Sequence, residues 1–297
     1  GMGDGSTIDR LVPVRIGTQE DWMHVSVSDG HAVGLREDGT LWAWGSNARG
    51  QLGDGTTTNR LEPVRVGGDA DWEMVHVGSV HTAAIKKDGS LWAWGFNAQG
   101  QIGDGTTVDR LAPKRIGVGV EWLRVACASF ATLAIRQDGT LWMTGAGGMV
   151  QVGQATDWVD IRGGAGFCVA LKGDGSMWVW GSNGRSAPVR VGSRLDWVRL
   201  ASAADVAGVF VALDGAGTLW EVSVETLAER PLMGSGSWFG TGPLVMGGGS
   251  VSSSGKMGLA DRVIRNDYSL SGTVGFGSGV NDGVLSFTGA GNLTGAT

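Results

Sequence analysis

Cysteine is almost missing from this chain of 297 residues: only Cys127 and Cys168 occur. Two thiols cannot make a disulfide framework, and no second pair stands ready for a metal site, so both read as buried small hydrophobes. Proline is scarce at six, tyrosine occurs once, histidine four times, and charged residues make up only 18% of the chain. No stretch approaches 18 consecutive apolar residues, which leaves nothing long enough for a membrane-spanning helix. Lys and Arg number 23 against 29 Asp and Glu, for a net charge of −6, with no basic tail and no run of five like charges. Nucleic acid is thereby disfavoured as a partner, because such affinity rests on clustered cations that neutralise backbone phosphates.

What is abundant is glycine, 54 residues, and tryptophan, 14 residues. The glycines follow no three-residue period, so collagen is excluded. They follow a much longer one. Residues 21 to 67 contain Asp21-Trp22, His31, Asp38-Gly39-Thr40-Leu41-Trp42-Ala43-Trp44-Gly45, Gly50-Gln51-Leu52-Gly53-Asp54-Gly55-Thr56-Thr57 and Pro63-Val64-Arg65-Val66-Gly67. Fifty residues later Trp72, His81, Asp88-Gly89, Leu91-Trp92-Ala93-Trp94-Gly95 and Gly100 to Gly105 repeat the pattern. A third copy runs from Trp122 through Asp138-Gly139-Thr140-Leu141-Trp142 but lacks the long loop after Gly145.

Anchoring on the turn glycine 17 residues after the leading Trp brings out degenerate copies at Gly175, Gly217, Gly255 and Gly291. Seven copies result. The chain stops after the seventh turn, whereas Gly3-Asp4-Gly5-Ser6-Thr7 supplies the missing remainder of a copy, so the register closes on itself.

Each copy reads as four short strands. Asp-Gly between the second and third is a strong hairpin signal, since both central residues of a type I′ turn need positive φ. Alternation in Leu91-Trp92-Ala93-Trp94 puts both indoles on one face and Leu91 with Ala93 on the other, so large residues oppose small ones between neighbouring sheets. Pro63, Pro113 and Pro188 fall at the first position of the fourth strand. The expected fold is all-β: a single seven-bladed β-propeller over 1–297. Its last blade, about 274–297, is completed by residues 1–20 through a Pro13–Gly17 strand.

The string Asp-Gly-Thr-Leu-Trp-Ala-Trp-Gly-x-Asn-x-x-Gly-Gln-Leu-Gly-Asp-Gly-Thr-Thr resembles the repeat of the regulator of chromosome condensation superfamily in its bacterial form. It covers residues 1 to about 220, and 221–297 only through glycine register. The style is similar to the bacterial group of β-lactamase inhibitory proteins of the second type. The resemblance implies a seven-bladed propeller, a secreted or periplasmic location and, more loosely, a monomer that binds or inhibits another protein. A target like a class A β-lactamase is one version, though no residue here specifies it. Light sensing, known in a plant branch of the superfamily, is not expected, because the Gly-Trp-Arg-His-Thr pentapeptide of that branch is absent. Nucleotide exchange, the activity of the eukaryotic namesake, has only the shared scaffold in its favour.

No catalytic set assembles from the sequence. His31 and His81 recur at one template position and so read as hydrogen-bonding structural residues, while His24 and His76 fall near the ends of first strands. The Gly-Asp-Gly-Thr-Thr loops lack the ligand spacing of a calcium loop and read as tight turns. No metal or cofactor is implied. Most indoles, at template positions, read as core between blades.

Non-template residues remain. First-to-second and third-to-fourth loops emerge at one end of the ring, the Asp-Gly turns at the other. On the first face Phe96, Phe130, Phe167 and Met149 stand where the template carries Ser46, His31 or His81, and Arg49 or Gln99. With Arg49 and Arg185 they make up the expected partner-binding patch, a cluster of apolar side chains on adjacent blades. The alternative for these rings is that they tuck inward and fill space left by shortened loops. Two competing functions stay open. One is a small-ligand or enzymatic site at the propeller mouth, using Asp205, Asp282, His31 and His81. The other is a structural module of a surface or phage assembly.

Overall fold

A computed structural model of the chain describes residues 3–145, 147–181, 184–201 and 208–232, together with the backbone of 272–276, 283–287 and 293–295. Five antiparallel four-stranded sheets follow one another along the chain. Blade 1 is β1 (Trp22–Val27), β2 (His31–Arg36), β3 (Leu41–Gly45) and β4 (Arg60–Arg65). Blade 2 is β5 (Trp72–Val77), β6 (His81–Lys86), β7 (Leu91–Gly95) and β8 (Arg110–Ile116). Blade 3 is β9 (Trp122–Ala128), β10 (Ala131–Arg136), β11 (Leu141–Gly145) and β12 (Gly148–Gln151). Blade 4 is β13 (Trp158–Gly163), β14 (Cys168–Lys172), β15 (Met177–Trp180) and β16 (Val189–Val191). Blade 5 is β17 (Trp197–Leu200), β18 (Val209–Asp214), β19 (Leu219–Ser223) and β20 (Glu229–Pro231). A three-stranded sheet of β21 (Gly272–Phe276), β22 (Gly283–Phe287) and β23 (Leu293–Gly295) lies where the seventh copy is expected. The sixth copy, with Trp238 and Gly255, lies outside the described residues.

First strands of successive blades touch one another, and each second strand packs on the first strand of the next blade. First strands are therefore innermost and fourth strands outermost. Large opposes small, as the alternation predicts. Val33, Leu35, Leu41 and Ala43 of blade 1 face Trp72, Trp92 and Trp94 of blade 2, and Leu91 and Ala93 of blade 2 face Trp122 and Trp142 of blade 3. The same core recurs between blades 3 and 4 and between blades 4 and 5.

Indoles this close to a neighbouring chain leave no room for side chains there. A Cβ on Gly53 would lie 2.6 Å from the Trp94 ring nitrogen, and one on Gly3 would lie 2.7 Å from that of Trp44. Residues 3–10 in fact copy 53–60. Arg10 reaches Asp4 at 2.7 Å as Arg60 reaches Asp54 at 2.7 Å, and Gly5 N donates to Leu61 O as Gly55 N donates to Leu111 O, both at 2.9 Å. The N-terminus is thus the tail of a repeat resting on blade 1.

Two expectations are corrected. Residues 13–17 form no strand, because a fourth strand needs the third strand of its own sheet, and no pairing to that segment occurs among the described residues. Pro63 and Pro113 sit inside β4 and β8 rather than at their starts; only Pro188 precedes its strand. The ladder slips between Ala43 and Gly45 and again between Ala93 and Gly95. Each proline thus sits in an irregular stretch of an edge strand, where a missing N–H costs nothing.

Trp94 is fully buried and Trp92 only partly so. Trp94→Ala is expected to cost about 3–5 kcal/mol in denaturant unfolding, as buried aromatics do, and Trp92→Ala clearly less. Equal, small losses would mean that the inter-blade core has been misplaced.

Candidate functional site

The two loop types do share a face. Ser46 N donates to Gly30 O at 2.8 Å, Phe96 N to Val80 O at 2.9 Å and Val224 N to Gly208 O at 2.8 Å, each joining a third-to-fourth loop to a first-to-second loop. The long loops are rigid because each folds around one buried asparagine. Asn47 Nδ2 donates to Asp54 Oδ1 at 3.0 Å and to the carbonyls of Thr56 and Thr58 at 3.0 and 3.1 Å, and its Oδ1 accepts from Leu52 N at 3.0 Å. Asn97 repeats the arrangement in blade 2. Burial raises the Asp54 pKa, but the hydrogen bonds from Thr56 and Arg60 outweigh it and hold the carboxyl below its ordinary value. With its oxygens engaged by protein donors, this aspartate braces a turn.

Below this face runs a buried polar relay between blades. Thr82 Oγ1 donates to Gln51 O at 2.8 Å, leaving its lone pairs to accept His31 Nε2–H at 3.0 Å. Ser28 Oγ lies 3.1 Å from His31 Nδ1. His81, Thr132 and Gln101 O reproduce the relay at 3.1 and 2.8 Å. Here Gly78 replaces Ser28, and His81 Nδ1 has no partner. Burial pushes His31 down to about 3 and His81 to about 4, so both rings are neutral at physiological pH. These are the structural histidines that their recurrence predicted, and they do not open onto the mouth. Asp205 and Asp282, their proposed companions there, lie outside the described residues.

Phe167 occupies the histidine position of this relay in blade 4. Gly164 N donates to Phe167 O at 2.9 Å just as Gly78 N donates to His81 O at 2.8 Å. The next relay position, held by Thr82 and Thr132 in blades 2 and 3, is Cys168 in blade 4 and Phe210 in blade 5, by strand register. Phe167 and Phe210 pack with ring centroids 6.2 Å apart. At 2% exposure, Phe167 is a core filler and not a surface anchor. An aromatic pair has taken over from a His–Thr hydrogen bond, because no buried polar partner remains on either side. Phe210 escaped notice because only the register between blades reveals its partner.

Two further patch candidates also serve the scaffold. A Cβ on Gly103 would meet Thr144 Cγ2 and Met149 Sδ where Gly53 meets the Trp94 ring, so Thr144 and Met149 together replace an indole. Arg185 donates to the carbonyls of Val224 and Glu225, tying blade 4 to blade 5. The remaining three are on the surface. Phe130, which aligns with Val80 and not with His81, is 53% exposed. Phe96 is half-buried under Arg49, whose guanidinium lies 4.9 Å from the ring centroid and 3.7 Å from Asp109.

Both cysteines are buried, and burial pushes each thiol up to about 12, so neither is nucleophilic. Among the described residues no three His, Cys, Asp or Glu side chains gather as metal ligands, and no helix is long and apolar enough to cross a membrane.

A family model described as the regulator of chromosome condensation (RCC1) repeat matches residues 38–85 and 88–135, and a second of the same description matches 24–51. No curated protein matches the chain in sequence. Among solved structures, human WBSCR16 superposes with a TM-score of 0.63 at 19% identity, covering 72% of this chain and 66% of its own. Yeast RCC1 (Prp20), crystallised with Kap60, gives 0.59 at 16% identity over 68% and 56%. Prp20p from Saccharomyces cerevisiae, described with its binding to Gsp1p and histones, gives 0.51 at 19% over 66% and 54%. The chain therefore spans between about half and two thirds of the length of these structures. At such identities the likeness establishes the fold, and function must be argued from the site.

The relay histidines predict a pH dependence. Below the ordinary value of 6.5 the unfolded chain binds protons that the folded chain refuses until about pH 3–4. Stability should therefore fall as pH drops below 6.5, by up to roughly 1.4 kcal/mol per pH unit per histidine. Aspartates such as Asp4, lowered from 3.8 to about 2, add their loss only at more acidic pH. Melting curves of the His31→Gln/His81→Gln variant should start lower at pH 7.5 and slope less between pH 6.5 and 4.5; an unchanged slope would refute neutral burial.

Proposed function

We propose that this chain, an RCC1-like repeat propeller, is a non-enzymatic protein-binding module that grips a partner protein through its loop face. The carrying observation is Phe130, a large ring standing exposed at a position held by Gly30, Val80 and Gly166 in neighbouring blades, on a scaffold whose loops are braced from within. Exposed aromatics on rigid supports are the anchors of interfaces. Phe96 with Arg49 forms the second contact, since an arginine stacked on a ring presents both apolar surface and donors. Yeast RCC1 (Prp20) is described bound to Kap60 and binding Gsp1p and histones, which supports a protein partner without naming one here. The most concrete version is a monomeric inhibitor of an enzyme, acting in a secreted or periplasmic setting. The removal of His31 and His81 from the mouth weighs against the enzymatic alternative.

The test is site-specific photo-crosslinking in an extract of the source organism. A crosslinker at position 130 should give one discrete adduct, absent when it is placed at Asp88 on the opposite face. With that partner purified, Phe130→Ala should weaken binding at least tenfold, about 1.4 kcal/mol, and leave the melting temperature unchanged. Phe167→Ala should do the reverse and lose several kcal/mol of stability, roughly 3–5. Adducts from both faces alike, or from neither, would refute the reading.

The seven-bladed count and ring closure belong to the same proposal. They are supported by the repeat register and by the way residues 3–10 sit on blade 1 as 53–60 sit on blade 2. Closure predicts that deleting residues 1–17 lowers the melting temperature of the whole array, because it opens an interface and frees an edge. An unaltered melting temperature would count against closure.

A further inference from the structure

We propose that the Asp-Gly end of blade 3 is a binding site for a small organic carboxylate, with Arg136 as its cation and the opening over Gly119 as its entrance. The site lies on the face opposite the loops and does not depend on the protein-binding reading. The other blades show what such a clamp is built to hold. The residue before the leading Trp is Asp21, Asp71, Asp157 or Asp196 in blades 1, 2, 4 and 5, and its carboxylate lies 2.8–3.0 Å from the cation stacked on the indoles. In blade 2 a second carboxylate, Asp69, reaches Lys86 at 2.8 Å.

Blade 3 keeps the cation and has changed both carboxylates. Arg136 Cζ lies 3.6 Å from the Trp142 ring centroid and 5.1 Å from that of Trp122. Gly119 stands at the repeat position of Asp69, and Glu121 at that of Asp71. The longer side chain is directed elsewhere. A Cβ on Gly89 would lie 3.1 Å from Glu121 Cβ and 3.3 Å from its Cγ, so Glu121 covers the turn of blade 2, whereas Gly39, Gly139 and Gly175 meet only main chain. Residues 117–123, 137–142 and 155–158, which border Arg136, are all described, and none gives its side chain an acceptor. Its Nε is buried without a hydrogen bond. The turn carboxylate Asp138 is no substitute: its Oδ1 accepts from Thr140 N and Oγ1 at 2.9 and 2.6 Å, as Asp38 Oδ1 does from Thr40 in blade 1, where the clamp aspartate is present as well.

Two further features fit a ligand there. A Cβ on Gly119 would meet no atom within 4 Å, so the space from which Asp69 reaches Lys86 in blade 2 is open in blade 3. The guanidinium fork matches a carboxylate, as Asp21 Oδ1 shows in blade 1 by accepting from Arg36 Nε at 2.9 Å and lying 2.8 Å from its Nη2. An exposed ion pair by itself binds weakly, so an acid with an apolar tail is the better match. Val118, 85% exposed, and Leu123, 38% exposed, stand on either side of Gly119 to Trp122 in the chain and offer apolar surface for that tail.

The test follows the arginine Nε–H resonances of the intact protein as sodium hexanoate is added at constant ionic strength, with sodium chloride and hexanamide as controls. Arg136→Lys, which copies the clamps of blades 2 and 4, identifies the Arg136 signal by its loss. A saturable shift of that signal with hexanoate alone, while the Arg36 signal stays still, supports the site. Glu121→Asp supplies the carboxylate that blade 1 carries; it should weaken hexanoate binding about tenfold, the scale of one charge-assisted hydrogen-bonded pair, and raise the melting temperature. Absence of saturation, or an equal shift at Arg36, would overturn the proposal. So would binding that emerges only after Glu121→Gln, since Glu121 would then be the native partner of the clamp. A shift with a capped aspartyl peptide but not with hexanoate would assign the clamp to a protein side chain and overturn the small-acid reading.

Discussion

The structure depends on one packing event, the entry of indoles from one sheet into the space over the Leu and Ala residues of the sheet before it. A blade alone has two apolar faces and cannot bury either, so stability comes from the neighbour. The polar edges of the indoles then dictate much of the remaining sequence. Trp42, Trp92, Trp142 and Trp178 donate to Thr40, Ser90, Thr140 and Ser176, the residues that follow the turn glycines, at 2.8–3.0 Å. A cation lies over the leading indole and its strand-three partner in every described blade: Arg36, Lys86, Arg136, Lys172 and Arg194. Glycine is abundant because chain must pass within contact of these rings and still turn.

Blade 5 shows that the clamp matters more than the position that supplies it. Asp214 occupies the place of Lys172, a reversal of charge that should break the sandwich. Arg194, from the preceding connection, provides the guanidinium instead and pairs with Asp214 at 2.7 Å, while Asp214 Oδ2 also accepts Trp220 Nε1–H at 2.8 Å. The same cation–π geometry results from exchanged donors.

Period and alternation made the blades legible, because a four-stranded unit repeats its turn chemistry and its apolar spacing at every copy. Roles that depend on the next blade were not legible in the same way. Phe167 reads as an exposed replacement of a histidine until its register places Phe210 opposite it, and Met149 reads as a loop residue until the loss of an indole at Thr144 explains what it fills. Arg185 looks like a surface charge, although its donors end on carbonyls of blade 5. The cation clamps could have been found from the recurrence of Arg36, Lys86, Arg136 and Lys172 three residues before each turn glycine.

These losses from the patch sharpen what is left of it. On the Asp-Gly face four of the five clamps leave their cations engaged, Arg36 with Asp21 at 2.8 Å, Lys86 with Asp69 and Asp71 at 2.8 and 2.9 Å, Lys172 with Asp157 at 3.0 Å, and Arg194 with Asp196 and Asp214, whereas Arg136 has no ion pair among the described residues. A face whose clamp charges are mostly paired already offers a partner little that water does not. On the loop face the shortened blades have drawn Met149 and Phe167 inward, whereas Phe130 stands exposed beside Ala131, which holds the relay position in blade 3. The scaffold leaves Phe130 uncovered, and recognition through it would draw on apolar surface that no other part of the described chain buries.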